Sequence, residues 1–272
     1  MNASIDVSDV TIGDSNAEPT GLLELMPTAA AESSTWRPTA VVLDLFGTLV
    51  PAPDSRERAQ AVREIATALR VSDPLADQAL GGSWQARHDG TLRTTGEIAA
   101  HLAELCGAPA GYVPRMESAL RRLAPQRLRP DASVLESLEA LRRSGLRLGL
   151  LSDAAPDVAE AWDRSVLAAQ FDVALFSCRE GAVKPAQHLY AEVVERLGCA
   201  ADSVLYCGDG GGSELVGALR CRMRAVRVER RGGTAALAFG DQAKDWPGVT
   251  LRSVEYLPTW LGIARLSRGY VR

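Results

Sequence analysis

No two cysteines stand at C-x-x-C spacing, and histidine occurs only three times, at His88, His101 and His188. The five cysteines (Cys106, Cys178, Cys199, Cys207 and Cys221) are scattered and odd in number. These absences argue against both a zinc site and a disulfide framework. Cys207 closes the apolar run Ser203-Val204-Leu205-Tyr206-Cys207, where it reads as a small buried hydrophobe. No stretch approaches the roughly 20 apolar residues of a membrane span. The N-terminus lacks the basic and apolar tracts of a secretory signal. Charge is not segregated either: the net charge is −4, with arginines and acidic residues interspersed, which leaves no footprint for nucleic acid or an anionic membrane. The expectation is a cytoplasmic protein, monomeric or homodimeric, acting on small molecules.

What is present is a long chain with an ample core. Its 272 residues exceed the ~150 of a typical single domain, and 46% of them are hydrophobic. The first 36 residues are rich in Ser, Thr, Asp, Glu and Ala and read as a disordered leader with one apolar patch, Leu22-Leu23-Glu24-Leu25-Met26. Beyond it, short and mostly continuous apolar runs at 40–46, 146–151, 173–176, 204–207 and 225–228 predict strands buried on both faces. Helix-period segments at 134–143, 156–168, 186–197 and 214–221 alternate with them, with Asp131 suited to an N-cap and Pro185 to a first helical turn. This alternation predicts an α/β fold: an open, Rossmann-like parallel sheet flanked by helices.

Residues 51–129 interrupt the pattern. They are almost purely helical in period, with segments at 55–69, 75–87, 95–106 and 114–123. The expected organisation is a core of 37–50 and 130–272 with an inserted α-helical cap at 51–129. An insertion after the first strand would lie over the C-terminal edge of the sheet, where open α/β sheets bind ligands. The tail beyond about residue 235 reads as a short last strand or helix packed on the core.

Chemistry-bearing residues recur at the ends of the predicted strands. Asp44 closes the first, in Val41-Val42-Leu43-Asp44-Leu45-Phe46-Gly47-Thr48, and the glycine allows a tight turn whose N–H groups can face an anion. Ser152 closes the second and offers a hydroxyl to an oxyanion. Lys184 follows the third and supplies a compact positive charge. After the fourth, Gly208-Asp209-Gly210-Gly211-Gly212-Ser213-Glu214 sets two carboxylates five residues apart on a glycine-rich turn, an oxygen-rich site for a hard cation such as Mg²⁺. Each has a blander reading: a turn cap, a helix cap, a solvated lysine, incidental acids. Their recurrence at one edge of one sheet is what sets them apart.

In this order the four segments resemble the motifs of the haloacid dehalogenase superfamily of hydrolases, with 44–48 as the first, Ser152 the second, Lys184 the third and 208–214 the fourth. The resemblance runs from about Thr39 to Val228. It implies that Asp44 is a nucleophile forming a covalent ester or aspartyl phosphate that water then hydrolyses. In the phosphatase version it also implies Mg²⁺ held by Asp44, the Phe46 carbonyl and Asp209, with Glu214 nearby or acting through water. Thr48, Ser152 and Lys184 would hold the phosphoryl oxygens of a small anionic substrate.

One position departs from the superfamily's phosphatases, which carry a second Asp two residues after the nucleophile as general acid and base. Here Phe46 stands there, and such help is typically worth ~10²–10⁴-fold. Three readings compete: a Mg²⁺-dependent phosphatase needing no acid from that position, a metal-free 2-haloacid dehalogenase, or a weakly active binding protein. Tyr190, six residues after Lys184, fits the dehalogenase pattern. Asp209 and Glu214 favour the phosphatase, because carboxylates beside Asp44 would repel it unless a cation lay between them. In the insertion, Trp84, Arg87, His88 and Arg93 cluster where an entering anion could meet two arginines and a histidine.

Overall fold

The computed structural model describes residues 36–229 and 245–263. The leader and its apolar patch lie outside the described residues, as does the beginning of the tail. Six strands, β1 (Ala40–Leu43), β2 (Arg147–Ser152), β3 (Val173–Phe176), β4 (Val204–Gly208), β5 (Arg224–Val228) and β6 (Thr250–Leu251), form one parallel sheet in the order β3-β2-β1-β4-β5-β6. The apolar runs are continuous because both faces are covered. Val41 and Leu43 point into one cluster with Leu148, Leu150 and Leu205, while Ala40 and Val42 point into another with Leu151, Leu175 and Tyr206. Each fully buried Val or Leu adds roughly 1.5–3 kcal/mol.

Between β1 and β2 run α1 (Ser55–Leu69), α2 (Asp73–Gly82), α3 (Trp84–His88), α4 (Thr95–Leu105) and α5 (Val113–Leu123), then the 3₁₀ turn Ala124–Leu128 and α6 (Ala132–Arg143). Capping boxes start α1 (Asp54 with Glu57) and α4 (Thr94 with Glu97). Four of the first five helices, α1, α2, α4 and α5, share their own apolar cluster, with Ile65, Leu69, Ile98, Leu102 and Met116 at its centre. The expected helix at 75–87 is broken at Ser83, after two glycines. Its buried hydroxyl donates to the Leu80 carbonyl and accepts from the Arg87 Nε at 3.0 Å.

The remaining helices are α7 (Pro156–Trp162), α8 (Ser177–Glu180), α9 (Gln187–Leu197), α10 (Glu214–Arg220) and α11 (Leu257–Trp260). Two corrections concern this part. The helix expected at 156–168 ends at Trp162, whose ring locks against Phe171 and Phe176 at 5.6 and 5.5 Å. Pro185 lies before α9 rather than in its first turn, because Lys184 and Pro185 still belong to the loop tied down by the Lys184 N–H bond to Asp153 Oδ1 at 3.0 Å. The tail supplies both expected forms, β6 beside β5 and α11 with Leu257 buried in the core. The insertion is fastened to α7, where Glu160 accepts from the Thr95 N–H at 3.0 Å and pairs with Arg121 at 2.6 Å. Gly90 packs directly on Gly181: with φ at +84°, a Cβ there would stand 2.8 Å from the Gly181 Cα.

Among the described residues no helix is long and apolar enough to cross a membrane.

Candidate active site

The chain leaves β1 on one side of the sheet's order reversal and β4 on the other, and this switch point is where open α/β sheets open a crevice. Asp44 follows β1 directly and Asp209 follows β4, so adjacent strands present two carboxylates side by side. Lys184 reaches the pair from the loop after α8. Its Nζ lies 2.6 Å from Asp44 Oδ1 and 2.5 Å from Glu214 Oε2, with all three side chains buried. Asp44 Oδ2 accepts from the Thr48 hydroxyl at 3.2 Å, which fixes the carboxylate from behind. Glu214 is gripped further: Tyr206 donates to its Oε2 at 2.7 Å and the Gly210 N–H to its Oε1 at 2.9 Å. Gly208 is required by this grip, since a Cβ there would lie 2.0 Å from Glu214 Oε1. The Gly211 N–H donates to Asp209 Oδ1 at 2.8 Å. Ser152, at the end of β2, is fully buried, and its hydroxyl has no hydrogen-bond partner among the described residues. Leaving such a group unpaired costs about 1–3 kcal/mol.

Charge in this cluster is unbalanced, with the three carboxylates of Asp44, Asp209 and Glu214 facing the one ammonium of Lys184. Burial and the Asp44 charge push the Glu214 carboxyl up to about 8, against the pull of Lys184. Burial likewise pushes Asp153 up to about 6, opposed by Lys184 and its N–H. Burial disfavours the Lys184 ammonium, yet Asp44, Glu214 and Asp153 hold its pKa well above that of an ordinary lysine. Both raised carboxyls bind a proton more tightly in the folded protein than in the unfolded chain. They therefore favour the fold at low pH, and that contribution is lost as pH rises from about 4 through 6 for Asp153 and through 8 for Glu214. The metal-free protein is expected to melt at a higher temperature at pH 5.5 than at pH 8, and Glu214→Gln to flatten the dependence. Thermal melts across that range check both. Buried neutral His88 opposes this trend below about pH 6.5, so the deciding result is the variant: a pH dependence left unchanged by Glu214→Gln would contradict the charge imbalance.

A cavity of about 820 Å³ separates this cluster from the inserted helices. Asp44, Phe46, Lys184 and Asp209 line it, whereas Thr48, Ser152 and Glu214 stand behind its wall. From the insertion come Trp84, Arg87 and His88, but not Arg93, whose side chain is exposed. His88 is no cationic greeter: it stacks on Trp84 at 4.4 Å, and burial and the nearby Arg87 push its pKa down to about 3. Among the wall residues that escape a reading of the sequence are Asp153, Asp157 and Arg127. Asp153 had a signal, since it directly follows the strand-end Ser152. Arg127 and Asp157 meet only because the last turn of the insertion folds onto the start of α7.

Residues 38–219 match the family of haloacid dehalogenase-like hydrolases. The chain is similar to a haloacid dehalogenase-superfamily phosphatase from Thermococcus onnurineus, with 21% identity over 84% of this chain and 100% of that one and a TM-score of 0.60. It is similar to L-2-haloacid dehalogenase from Xanthobacter autotrophicus with chloropropionic acid covalently bound, with 21% identity, 83% and 99% coverage and a TM-score of 0.56. A superfamily enzyme from Bacteroides thetaiotaomicron in complex with magnesium and inorganic phosphate gives 15% identity, 74% and 98% coverage and a TM-score of 0.57. No curated protein matches the chain by sequence. At these identities the solved structures establish the shared fold, and they include enzymes of both reaction types.

Proposed function

The chain belongs to the haloacid dehalogenase-like hydrolases, and on that premise we propose that it is a Mg²⁺-dependent phosphatase of small phosphorylated metabolites, with Asp44 as nucleophile and the inserted helices as a lid. The observation that carries this reading is the surplus of buried carboxylate. Oxygens of Asp44, Asp209 and Glu214 lie within 4.8 Å of one another, and a hard divalent cation is what an all-oxygen, net-negative site accommodates. Asp44 and Asp209 face the cavity and, with the Phe46 carbonyl, would hold the ion. Glu214, already engaged by Lys184, Tyr206 and Gly210, would support it from behind. When bound, Mg²⁺ would neutralise phosphoryl oxygens as a Lewis acid.

The chain's own groups supply the rest. Thr48 and Lys184 orient the Asp44 carboxylate for attack on phosphorus. The P–O bond to the leaving alkoxide breaks as the Asp44–phosphorus bond forms, and water later returns the carboxylate. Lys184 balances charge on the phosphoryl oxygens, and Ser152 gains the acceptor it lacks. Phe46 cannot protonate the leaving group. Asp153 lines the same cavity, and its pKa near 6 suits a proton carrier at neutral pH, so we assign it the missing acid.

Phe46 keeps a second reading open, metal-free dehalogenation, in which a halide leaves without a proton. One assay separates the two. Phosphate release from a panel of alkyl and aryl phosphates should require Mg²⁺ and stop on chelation. Asp153→Asn should slow alkyl substrates by about 10²-fold and aryl substrates, which carry better leaving groups, much less. Chloride release from 2-chloropropionate that survives chelation, with no phosphate release from the panel, would overturn the phosphatase reading.

A further inference from the structure

The Phe46 ring is not an empty substitution for an acid, because the Arg127 guanidinium lies over it, 4.5 Å from the ring centroid. Arg127 projects from the 3₁₀ turn Ala124–Leu128, where the insertion returns to the core, and it lines the cavity together with Asp44. No hydrogen bond or ion pair engages its guanidinium among the described residues, so five donors in a fixed fork face the cavity region without an acceptor. Arg87 stands in the same wall, pinned by Ser83 Oγ at 3.0 Å and the Leu80 carbonyl at 2.9 Å. The two cations repel one another. Asp157 offsets both and Glu57 offsets Arg127, yet burial still lowers the pKa of each arginine. A partly buried guanidinium that already has a flat ring beneath it, and that lacks an acceptor, is built to take a planar oxyanion two-pronged.

We propose that Arg127, seated on Phe46 and backed by Arg87, forms a second anion subsite that binds a carboxylate of the substrate while Asp44 faces its reacting centre. The substrate class is then a small phosphorylated carboxylic acid, a molecule with two anionic heads. The residue that removes the usual acid also supplies the platform for the subsite. This inference rests on the assignment of Asp44 to the reacting centre, but not on whether phosphorus or carbon reacts there.

Calorimetric titration with Mg²⁺ present, using the full chain, tests it with three unreactive probes: methylphosphonate (one phosphoryl-like head), phosphonoacetate (that head plus a carboxylate) and malonate (two carboxylates). Phosphonoacetate should bind the wild type at least about tenfold more tightly than methylphosphonate, the ratio one charge-assisted two-pronged contact supports. Arg127→Met should erase that advantage and weaken malonate, while changing methylphosphonate less than about twofold. Arg127→Lys, which keeps the charge but not the fork, should recover part of it and serves as the folded comparison should the methionine variant prove unstable. Failure of methylphosphonate alone to bind any of the proteins counts against the phosphoryl reading and leaves the subsite standing. Equal binding of phosphonoacetate and methylphosphonate to the wild type, or no binding of phosphonoacetate and malonate, overturns the subsite. So does an equal loss of all probes in the Arg127 variants, or no loss.

Discussion

Asp44→Asn is expected to lower turnover by at least about 10⁴-fold, the scale on which loss of a covalent nucleophile is felt, while leaving the protein folded and no less stable. The amide keeps the shape of the carboxylate, its one oxygen can still accept from the Lys184 ammonium, and its NH₂ can donate to the Thr48 hydroxyl in place of the bond now accepted there, so the geometry at the end of β1 survives. What disappears is the nucleophile and one of three crowded negative charges. The Asp44 charge is among the causes that hold Glu214 high, so its carboxyl should titrate lower in the variant. Steady-state kinetics and a melting curve on the same preparation check the two halves. A variant that kept a tenth of the activity would show that Asp44 is not the nucleophile.

Lys184→Met should have the largest effect on stability. Among the described residues Lys184 is the only cation that bonds directly to Asp44 and Glu214, and removing it leaves both carboxylates, with Asp209 nearby, buried without that counter-charge. Breaking a buried pair in this way costs about 3–5 kcal/mol, and for a chain of this size that corresponds to a fall of roughly 10 °C in melting temperature. Activity should vanish with it. Adding Glu214→Gln to Lys184→Met should restore part of the stability, because it neutralises one stranded carboxylate. Denaturant melts of the two single variants and the double variant measure the coupling. Strict additivity would mean that the pair is not energetically linked.

How much of this was legible in the sequence depends on how local each feature is. The strands declare themselves because burial on both faces demands unbroken apolar runs such as Val41–Leu43 and Val204–Cys207. Asp44 and Asp209 follow strand ends directly and Ser152 closes a strand, so parallel topology alone brings them to one edge. Lys184 is further from its strand, yet its loop has little choice but to cross that edge. Side-chain environments are less local. Nothing in Trp84-Gln85-Ala86-Arg87-His88 says that His88 will be buried against Trp84 and stay neutral. The break at Ser83 comes from a hydroxyl competing for the Leu80 carbonyl, and helical period does not register it. Glu214 reads from sequence as a carboxylate beside the cation site or acting through water, and what the sequence does not show is its hold on Tyr206 and Lys184. Arg127 and Phe46 are 81 positions apart and meet only through the docking of the insertion on the core.

The central claim is that Asp44 carries the substrate's reacting group covalently. Its most direct test is rapid acid quench of the enzyme during turnover, followed by mass analysis of the peptide bearing Asp44. A phosphoryl adduct on Asp44, absent without Mg²⁺ and absent in Asp44→Asn, is the predicted result. Turnover with no adduct on that peptide at any quench time, or an adduct on another residue, would contradict it.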